Sequence, residues 1–555
     1  MDNLIPKLRK LLDGEVSTET SARQAVSHDA SVYELIPDAV ISPVDSTDIK
    51  KLVKFVLTNK SAYPKLAITP RSAGTCMSGG SIGSSILLDM TTHFNKIGSL
   101  KGTLLNAQPG VYMRDIDPLL YDQNLHLGCV PASRAINTIG GMVGNNSGGE
   151  RSLQYGNTER WVRELKVVFG DGNEYIVKPL NRKQLAMKLK QDTYEASLYR
   201  QVYDLIEKHY DRIKNARPHV NKNSMGYNLW SVWDRDTGIF DMTRLISGSQ
   251  GTLGIITDIT IEAVPKAPHS GLLLAYLPSI KNLGDVIATV MHHEPATFEG
   301  FDNITFNLGL RYFNTFRKQL GTKEWLRQQS ILLKSVAQFK GHIPSMFLMI
   351  EFDGQTKGEV LDKISILHDD LQSFKLKMDI QADESSSAPF WKIRRSALTL
   401  LQNQVHGRYA APFIDDMAVP PRYLPEFVPK LRKVIRKYKL PATIQGHFGD
   451  GNFHVIPLMD IASAKDQAKL EPVMRELIPI VLKYGGTMAG EHNDGMVRGP
   501  WLPAVFGQDM YEIFKETKEI FDPQYIFNPH KKTDASWEFS MSHIRSKNDN
   551  VLIKR

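Results

Sequence analysis

Two glycine-dense stretches, each close to a strand-like segment, restrict the fold of this chain more than any other feature. Residues 70–80 read Pro-Arg-Ser-Ala-Gly-Thr-Cys-Met-Ser-Gly-Gly, and residues 139–149 read Ile-Gly-Gly-Met-Val-Gly-Asn-Asn-Ser-Gly-Gly. Small residues let backbone N–H groups turn toward an anion such as a pyrophosphate and let the main chain approach a ligand closely. Two such stretches separated by secondary structure predict a single ligand that both stretches contact.

The first stretch lacks the spacing of the common nucleotide-binding loops. It contains neither GxGxxG opening a helix nor GxxxxGK[ST], so neither a Rossmann NAD site nor a P-loop is predicted. A glycine loop taken alone is more often a turn. In the second stretch, the amides of Asn145 and Asn146 could address the polar edge of a planar heterocycle.

The order of predicted elements indicates an α+β protein with two main domains. A strand from Val40, a Ser46/Thr47 cap, a helix and further short strands predict small sheets with flanking helices over 36–265. Longer helices between strands predict a second domain over 266–505, with an antiparallel sheet covered by helices. We expect a helical segment at 1–35, a return to the first domain at 506–535, and a loosely held polar tail at 536–555.

Composition indicates a soluble globular protein. The chain has 555 residues, of which 42% are hydrophobic and 23% are charged. Its net charge is +8, and the lysines and arginines are scattered along the chain rather than clustered in a stripe. We therefore expect no nucleic acid partner, although the charge could steer anionic substrates or favour a membrane surface. Two cysteines, Cys76 and Cys129, exclude a disulfide framework and a four-cysteine metal site. Without a signal peptide or an apolar run of bilayer length, a cytoplasmic location is expected, with peripheral membrane contact left open.

The segment 445–454, Gln-Gly-His-Phe-Gly-Asp-Gly-Asn-Phe-His, predicts a hairpin. Asp-Gly between alternating segments favours a two-residue type I′ turn, which would pair His447 with His454 on one face. Cross-strand Cβ atoms about 5 Å apart suit two ligands of one metal ion. The alternative is a hairpin with two hydrogen-bonded histidines.

A second polar segment, Gly490-Glu491-His492-Asn493-Asp494-Gly495, follows a predicted helix. An isolated Glu-His pair is usually a solvated turn. Joined to the hairpin, Glu491 would complete a set of two histidines and one carboxylate that leaves metal positions open for a substrate. HExxH is absent, so a zincin-type helix is not predicted.

The two glycine stretches, together with Tyr155-Gly156 and residues 249–257, resemble the FAD-linked oxidase family of the vanillyl-alcohol oxidase superfamily. The resemblance implies that the first stretch wraps the FAD pyrophosphate, the second lies along the isoalloxazine and ribityl groups, and Gly254-Ile255 contact the adenine side. Relatives with covalent flavin usually carry His where this chain has Thr75, so non-covalent FAD is expected, with Cys129 the nearby nucleophile to watch. The implied FAD contacts are Arg71, Ser72, Ala73, Gly74, Thr75, Ser78, Gly79, Pro131, Ser133, Thr138, Gly140, Gly141, Asn145, Gly148, Tyr155, Gly254, Ile255, Ile256 and Asn528.

The histidine segments resemble the branch that contains D-lactate dehydrogenases, glycolate oxidase subunits and D-2-hydroxyglutarate dehydrogenases. The resemblance implies metal ligation by His447, His454 and Glu491, with Zn, Mn or Fe as the ion. It also implies catalysis by His492 as base, with Arg394 holding the substrate carboxylate and Asn452 as a pocket amide.

The same resemblance implies oxidation of a small anionic D-2-hydroxy acid, with electrons passed to a quinone, flavoprotein or cytochrome-type acceptor. Ile414 stands where D-2-hydroxyglutarate dehydrogenases carry lysine, which favours a D-lactate-like monocarboxylate over a dicarboxylate; D-2-hydroxyglutarate and glycolate remain the alternative substrates. A homodimer is compatible with the sequence.

Three other functions fit part of the sequence. An FAD-dependent synthase of the alkylglycerone-phosphate type would favour consecutive histidines near the site, whereas His292-His293 lies in an unrelated helical stretch. A metal-dependent hydrolase would use the His, His, Glu set without flavin. A non-catalytic electron-transfer subunit would bind FAD without reacting with any hydroxy acid.

Overall fold

The computed structural model describes residues 3–312, 321–337, 339, 342–401 and 408–545. Helices and strands are mixed along the chain, and the strands form two small sheets, a two-stranded ribbon and one large antiparallel sheet. The predicted α+β class is confirmed. Within the described residues, no helix combines the length and the apolar character needed to cross a bilayer.

The first small sheet carries the first glycine stretch at the end of one strand. Its strands, in spatial order, are Glu15–Ser17, Ala39–Ser42, Ile86–Asp89 and Ile68–Arg71, of which the last three are parallel. The helix Ser46–Asn59 buries Ile49, Leu52, Val53 and Val56 at helical spacing in the same apolar cluster as this sheet. Two parallel neighbouring strands cannot be joined by a tight hairpin turn, so a longer connection is needed between Ile68–Arg71 and Ile86–Asp89. The first glycine stretch forms part of this connection.

The second small sheet is antiparallel and is organised by one long strand. Ile255–Pro265 alternates buried and half-buried side chains along its length, as expected for a strand with two different faces. Its neighbours are Leu104–Ala107, Val162–Val168 and Leu125–Leu127, and the sheet is completed by Ile97–Lys101 and Glu174–Val177. Trp233–Asp234 and Ile239–Phe240 form the ribbon. The helices of residues 3–265 are Ile5–Leu11, Thr20–Ala25, Ser46–Asn59, Met113–Tyr121, Ile139–Asn145, Ser152–Tyr155, Arg182–Leu189, Tyr194–Lys208, Tyr210–Asn215 and Thr243–Ile246.

The large sheet lies in the second half of the chain. Its order is Lys377–Gln381, His269–Leu277, Met346–Gly354, Thr297–Asp302, Ala442–His447 and Asn452–Met459, with Tyr409–Ala410 and Met417–Ala418 both pairing with the last strand. Its helices are Leu283–Met291, Asn303–Tyr312, Thr322–Ala337, Lys357–Leu371, Glu384–Leu401, Leu424–Lys437, Ala464–Gln467, Leu470–Lys483, Gly495–Arg498 and Leu502–Phe506. The hairpin with the two histidines therefore belongs to this sheet.

The chain returns to the first sheet near its end. After the helix Gln508–Phe521, the Ile68 N–H donates to the Ile526 carbonyl, and the Asn528 N–H donates to the Ile68 carbonyl. The helix Trp537–Ser542 then packs Trp537 against Trp501. Residues 536–545 thus differ from the expected loose tail, because their aromatic side chains find partners; residues 546–555 lie outside the described part.

Two further local predictions need correction. The helix predicted to be capped at Ser46/Thr47 is capped by Asp45, whose carboxylate accepts N–H groups of Thr47 and Asp48. The second glycine stretch is not a loop throughout, since Ile139–Asn145 is a helix that begins after Thr138 and ends at the left-handed residue Asn146. The 1–35 segment also contains the strand Glu15–Ser17.

Asp48 ties the N-terminal segment to the first sheet and provides a test of this fold. Its buried carboxylate accepts the backbone N–H groups of Asp13, Gly14 and Val44. Asp48→Ala leaves these donors without a partner, so we expect a loss of about 3 kcal/mol in the free energy of unfolding, measured by urea denaturation. The control Asp13→Ala removes an exposed ion pair with Lys51 and should shift the midpoint little. Equal shifts in both variants would contradict this role.

Candidate active site

A cavity of about 200 Å³ runs from the first glycine stretch to the histidine hairpin. Both glycine stretches line it, and so do residues of the large sheet, so the cavity lies between the two halves of the chain. Of the implied FAD contacts, the residues that line it are Arg71, Ser72, Ala73, Gly74, Thr75, Pro131, Ser133, Gly140, Gly141, Asn145, Gly148, Gly254 and Ile256. The structure therefore brings together most of the residues that the sequence singled out for one ligand.

The remaining implied contacts lie behind the cavity wall. Ser78, Gly79, Thr138, Tyr155, Ile255 and Asn528 are not among its lining residues. Ile255 points to the apolar cluster of the first sheet, because side chains alternate along a strand and Gly254 and Ile256 occupy the other face. The Asn528 amide donates to the carbonyls of Gly80 and Gln250 and so ties two lining segments together.

Gln250 is a lining residue whose role is not predictable from the sequence. Gln250 has a left-handed backbone with φ of 53°, and its amide nitrogen donates to Ser78 and Asn145. Its amide oxygen accepts the N–H of Gly495. Gln250 was quoted in the resembling motif, but no pattern within the sequence indicated that it joins both glycine stretches to the loop after Glu491.

The cavity fits an elongated planar cofactor on two observations. A Cβ added to Gly144 would meet no protein atom within 4 Å, so this part of the helix faces open space. Asn137 also lines the cavity, and its buried Oδ1 has no hydrogen-bond partner among the described residues. A buried amide oxygen without a hydrogen-bond donor destabilises the folded protein, unless a bound ligand supplies the donor.

Cys129, for which the sequence favours a buried structural thiol over a link to the flavin, does not line this cavity. Its thiol donates to the carbonyl of Ser147 at 2.9 Å. Burial raises the pKa of Cys129 to about 12, so it is held as a neutral thiol. These contacts are those of a structural cysteine.

The histidine hairpin forms, but with a register two residues away from the prediction. His447 pairs with Asn452, and Gln445 pairs with His454, so residues 448–451 form the loop. The type I′ turn was wrong because it needs two left-handed residues, and only Gly451 is left-handed here. A shift by two preserves the side-chain face, so the imidazoles of His447 and His454 still meet, with ring centroids 5.2 Å apart.

Three imidazoles converge on a single carboxylate oxygen. Glu491 Oε1 lies 3.1 Å from Nε2 of His447, 3.2 Å from Nε2 of His454 and 3.6 Å from Nε2 of His492. The rings of His454 and His492 are stacked, with centroids 4.9 Å apart. His454, Glu491 and His492 line the hairpin end of the cavity.

The other nitrogen of each ring fixes its tautomer. Nδ1 of His447 faces Glu299 Oε1, Nδ1 of His454 faces the Asp415 carbonyl, and Nδ1 of His492 faces Asp415 Oδ2 at 2.8 Å. These oxygens can only accept, so each Nδ1 carries the proton and each neutral ring presents an Nε2 lone pair to Glu491. Nε2 lone pairs that face the Glu491 carboxylate require a metal cation or a proton between them. Oxygen acceptors that hold the opposite Nδ1–H of each ring are typical of metal-binding histidines.

Two consecutive buried aspartates organise the loop that carries Glu491. Asp416 Oδ2 accepts the backbone N–H groups of Glu491 and His492, and its Oδ1 accepts the Asn452 amide at 3.0 Å. Asn452 is not among the lining residues of the cavity, and its amide donates to Asp416 and to the Met417 carbonyl, so its role as a substrate-pocket amide stays a prediction. Asp415 is held by the fully buried Arg498 and in turn orients His492.

A grouping by distance alone selects a different set of metal donors. Asp416, His454, Glu491 and His492 offer donor atoms within 4.8 Å of one another. Asp416 is the weaker candidate because both its oxygens already accept hydrogen bonds within the protein. His447, although outside that group, directs its Nε2 at the same Glu491 oxygen.

Glu299, which the sequence analysis missed, couples the predicted substrate arginine to a histidine. It is fully buried, and its Oε2 lies 2.8 Å from the guanidinium of Arg394 while its Oε1 accepts from His447. Arg394 lines the cavity, as the prediction requires. A carboxylate in the buried strand Thr297–Asp302 was the available signal, because such a group is rarely buried without a partner.

The charges of these groups depend on one another. Burial disfavours a charged His492, but Asp416 and Asp415 outweigh it and raise the pKa of His492 to about 9. Burial likewise opposes ionisation of Glu491, yet Lys222 and His447 hold its pKa well below the ordinary value. For His454 burial dominates and lowers the pKa.

The C-terminal model of the FAD linked oxidases matches residues 266–532, and an FAD binding domain model matches residues 37–177. The chain is 26% identical to a D-2-hydroxyglutarate dehydrogenase of Pantoea ananatis over 93% of its own length, and it spans about half the length (50%) of that protein. It is 28% identical to glycolate oxidase subunit GlcD of Bacillus subtilis, with 92% of each chain covered.

Among solved structures, 4-ethylphenol oxidase from Gulosibacter chungangensis superposes with a TM-score of 0.67 at 14% identity, covering 97% of this chain and 98% of the other. This likeness concerns the fold alone. The two family models together match most of the chain. The FAD binding domain model includes both glycine stretches, and the C-terminal model includes both histidine segments. The chain therefore belongs to the FAD-linked oxidase family.

Proposed function

We propose that this protein is an FAD-dependent dehydrogenase of a small D-2-hydroxy acid, with a divalent metal at His447, His454 and Glu491. One observation carries the proposal: three imidazole Nε2 atoms converge on Glu491 Oε1 at one end of the cavity that the glycine stretches line. Such an arrangement places a set of metal-binding donor types beside the cavity lined by the glycine stretches, where FAD would bind.

The buried charges around the imidazoles favour a divalent cation. The eight described groups are the carboxylates Glu299, Asp415, Asp416, Asp450 and Glu491 and the cations Lys222, Arg394 and Arg498, all of them buried. With the imidazoles neutral, as metal ligation requires, five formal negative charges against three positive ones leave an excess of two; without an ion, protonation of His492, whose pKa is raised to about 9, offsets part of that excess. A buried excess of charge is costly, and a bound divalent ion offsets it. We favour zinc because two histidines and a carboxylate with an open position are typical zinc ligands, with Mn or Fe as alternatives.

FAD would supply the two-electron oxidation of the substrate carbon, and the metal would acidify the substrate hydroxyl. The protein's own groups position the substrate and move one proton. Arg394 donates hydrogen bonds to the substrate carboxylate from the cavity wall. His492 accepts the hydroxyl proton at Nε2, because Asp415 fixes the proton on Nδ1. A cation beside Glu491 would keep His492 neutral by opposing the carboxylates that raise its pKa.

The proposed substrate is a monocarboxylate such as D-lactate. Among the described residues that line the cavity, the lysine and arginine side chains are Arg71 at the first glycine stretch and Arg394 at the hairpin end. One arginine beside the metal suits one carboxylate, and Ile414 is apolar and buried. D-2-Hydroxyglutarate is the second candidate because of the name of the relative from Pantoea ananatis.

Electrons would leave the site through an external acceptor of the quinone, flavoprotein or cytochrome type. Two cysteines in the chain cannot hold an iron–sulfur cluster with four thiolates. We also propose a cytoplasmic location. A hydrolase without flavin is disfavoured by the FAD binding domain, while a synthase of the same fold is disfavoured by the metal donor set.

Purified protein should show a flavin spectrum that D-lactate bleaches under anaerobic conditions. L-Lactate should not bleach it, and D-2-hydroxyglutarate should bleach it more slowly because the site holds one arginine for its two carboxylates. Stopped-flow absorbance near the flavin maximum measures these rates. Absence of flavin absorbance would disprove the proposed function. Faster flavin reduction by D-2-hydroxyglutarate than by D-lactate would show that the dicarboxylate is the substrate.

Glu491→Gln should weaken zinc binding by more than the 10–100-fold that loss of an outer-sphere partner typically costs (about 1–3 kcal/mol). The reason is that the amide removes the charged donor on which the imidazoles converge. Competition between the flavin-loaded protein and a chromophoric chelator measures the affinity. Glu359→Gln, on an exposed helix and paired with Lys363, is the matched control. Equal zinc affinity in the two variants would disprove ligation by Glu491.

His492→Asn should lower the anaerobic rate of flavin reduction by about 10²–10⁴-fold, because the asparagine cannot take up the hydroxyl proton. Zinc affinity should stay at the wild-type value, since His492 is assigned as base and not as ligand. His368→Asn, which removes a half-buried histidine that faces Asp369 on a helix outside the site, serves as control. Loss of zinc from His492→Asn would instead favour the donor set that includes His492.

A further inference from the structure

Lys222 has no exposed surface and lies at the junction of three loops that build the site. Its ammonium is 3.2 Å from the Gly149 carbonyl, 3.3 Å from Glu491 Oε2 and 3.4 Å from Asp450 Oδ2. The ammonium donates hydrogen bonds to the Gly149 carbonyl and to Glu491, and it forms an ion pair with Asp450. Gly149 belongs to the second glycine stretch, Asp450 to the hairpin loop and Glu491 to the metal-binding segment.

The chain places Lys222 there by a run of paired polar residues. The Asn221 amide donates to Asp450 and to the Ser152 carbonyl. Two residues later, the Thr487 hydroxyl donates to Asn223, and the Ser224 N–H donates to the Ala489 carbonyl. Residues 221–224 therefore lie along residues 487–489, and the lysine stem between them has a fixed direction.

We propose that Lys222 is the positioning residue that orients Glu491 for metal binding. Holding Oε2 at the ammonium turns Oε1 toward the imidazoles of His447 and His454. Without that partner the buried Oε2 would lack a charged donor, and the carboxylate would be free to rotate. Outer-sphere partners of this kind commonly set metal affinity. This inference rests on the proposed metal site and adds a residue that acts through Glu491.

The lysine also connects the metal site to the cofactor side. The Gly149 carbonyl that it binds is one residue from Gly148, where an added Cβ would lie 2.7 Å from Glu491 Oε2. The glycine stretch does not depend on Lys222 alone, because the Gly149 N–H donates to Ser152 and the Glu150 N–H donates to the Val130 carbonyl. Loss of Lys222 should therefore release Glu491 before it releases flavin.

The test measures zinc affinity of flavin-loaded protein by chelator competition in Lys222→Gln, Lys222→Arg and Lys222→Met. We expect the dissociation constant to rise about 10–100-fold in the glutamine and methionine variants and less in the arginine variant, which keeps the charge. Flavin absorbance reports folding in every sample. If the methionine variant fails to fold, the glutamine variant decides, because glutamine retains hydrogen-bond donors.

Lys518→Met is the matched control, since Lys518 is equally buried and donates to Asp522 and to the carbonyls of Thr252 and Phe527, away from the imidazoles. Its zinc affinity should equal that of the wild type. In the Glu491→Gln background, Lys222→Gln should change zinc affinity no further, because the two residues act as a unit.

Wild-type zinc affinity in Lys222→Gln, or additive losses in the double variant, would overturn the role of Lys222. Failure of the wild-type protein to bind zinc, manganese or iron would overturn the metal site and this inference together. The two failures are thus distinguishable by the wild-type titration.

Discussion

Compensation of the buried carboxylate of Glu491 is the constraint on which the rest of the site depends. A carboxylate in a buried setting is tolerated only when donors and cations surround it. Here one oxygen faces imidazole nitrogens, the other faces Lys222, and the backbone N–H donates to Asp416. Each partner is in turn held by another buried group, so the geometry of the site follows from satisfying one charge.

This constraint explains why the site cannot belong to one half of the chain. The imidazoles and Glu491 lie within the second matched region, but Lys222 and the glycine stretches come from the part of the chain before residue 266. Ion pairs join the halves nearby, where Arg151 binds Glu351 and Asp353 and Arg395 binds Glu150. Such partly buried ion pairs help to fix the distance between the glycine-lined cavity and the proposed metal donors, which an apolar interface would fix less specifically.

The histidine hairpin and the glycine stretches show which features of the site are predictable from sequence patterns. The hairpin predicted that His447 and His454 share a face, which held because a strand alternates with a period of two, even though the turn type and register were wrong. The glycine stretches indicated one ligand, and both line one cavity. The contact between the Asn452 amide and Asp416 was not predictable, because a sequence does not reveal which distant group an amide faces.

The sequence by itself determined the α+β class, the family and the two glycine stretches, and it singled out His447, His454 and Glu491 as the proposed metal donors, because periodicity, turn residues and motifs are local properties. Only the tertiary structure decided that Lys222 and Glu299 complete the site, since their partners lie 269 and 148 residues away along the chain. It also decided which nitrogen of each imidazole faces Glu491, because that depends on acceptors supplied by other segments. Long-range charge compensation has no local signature, and here it governs the site.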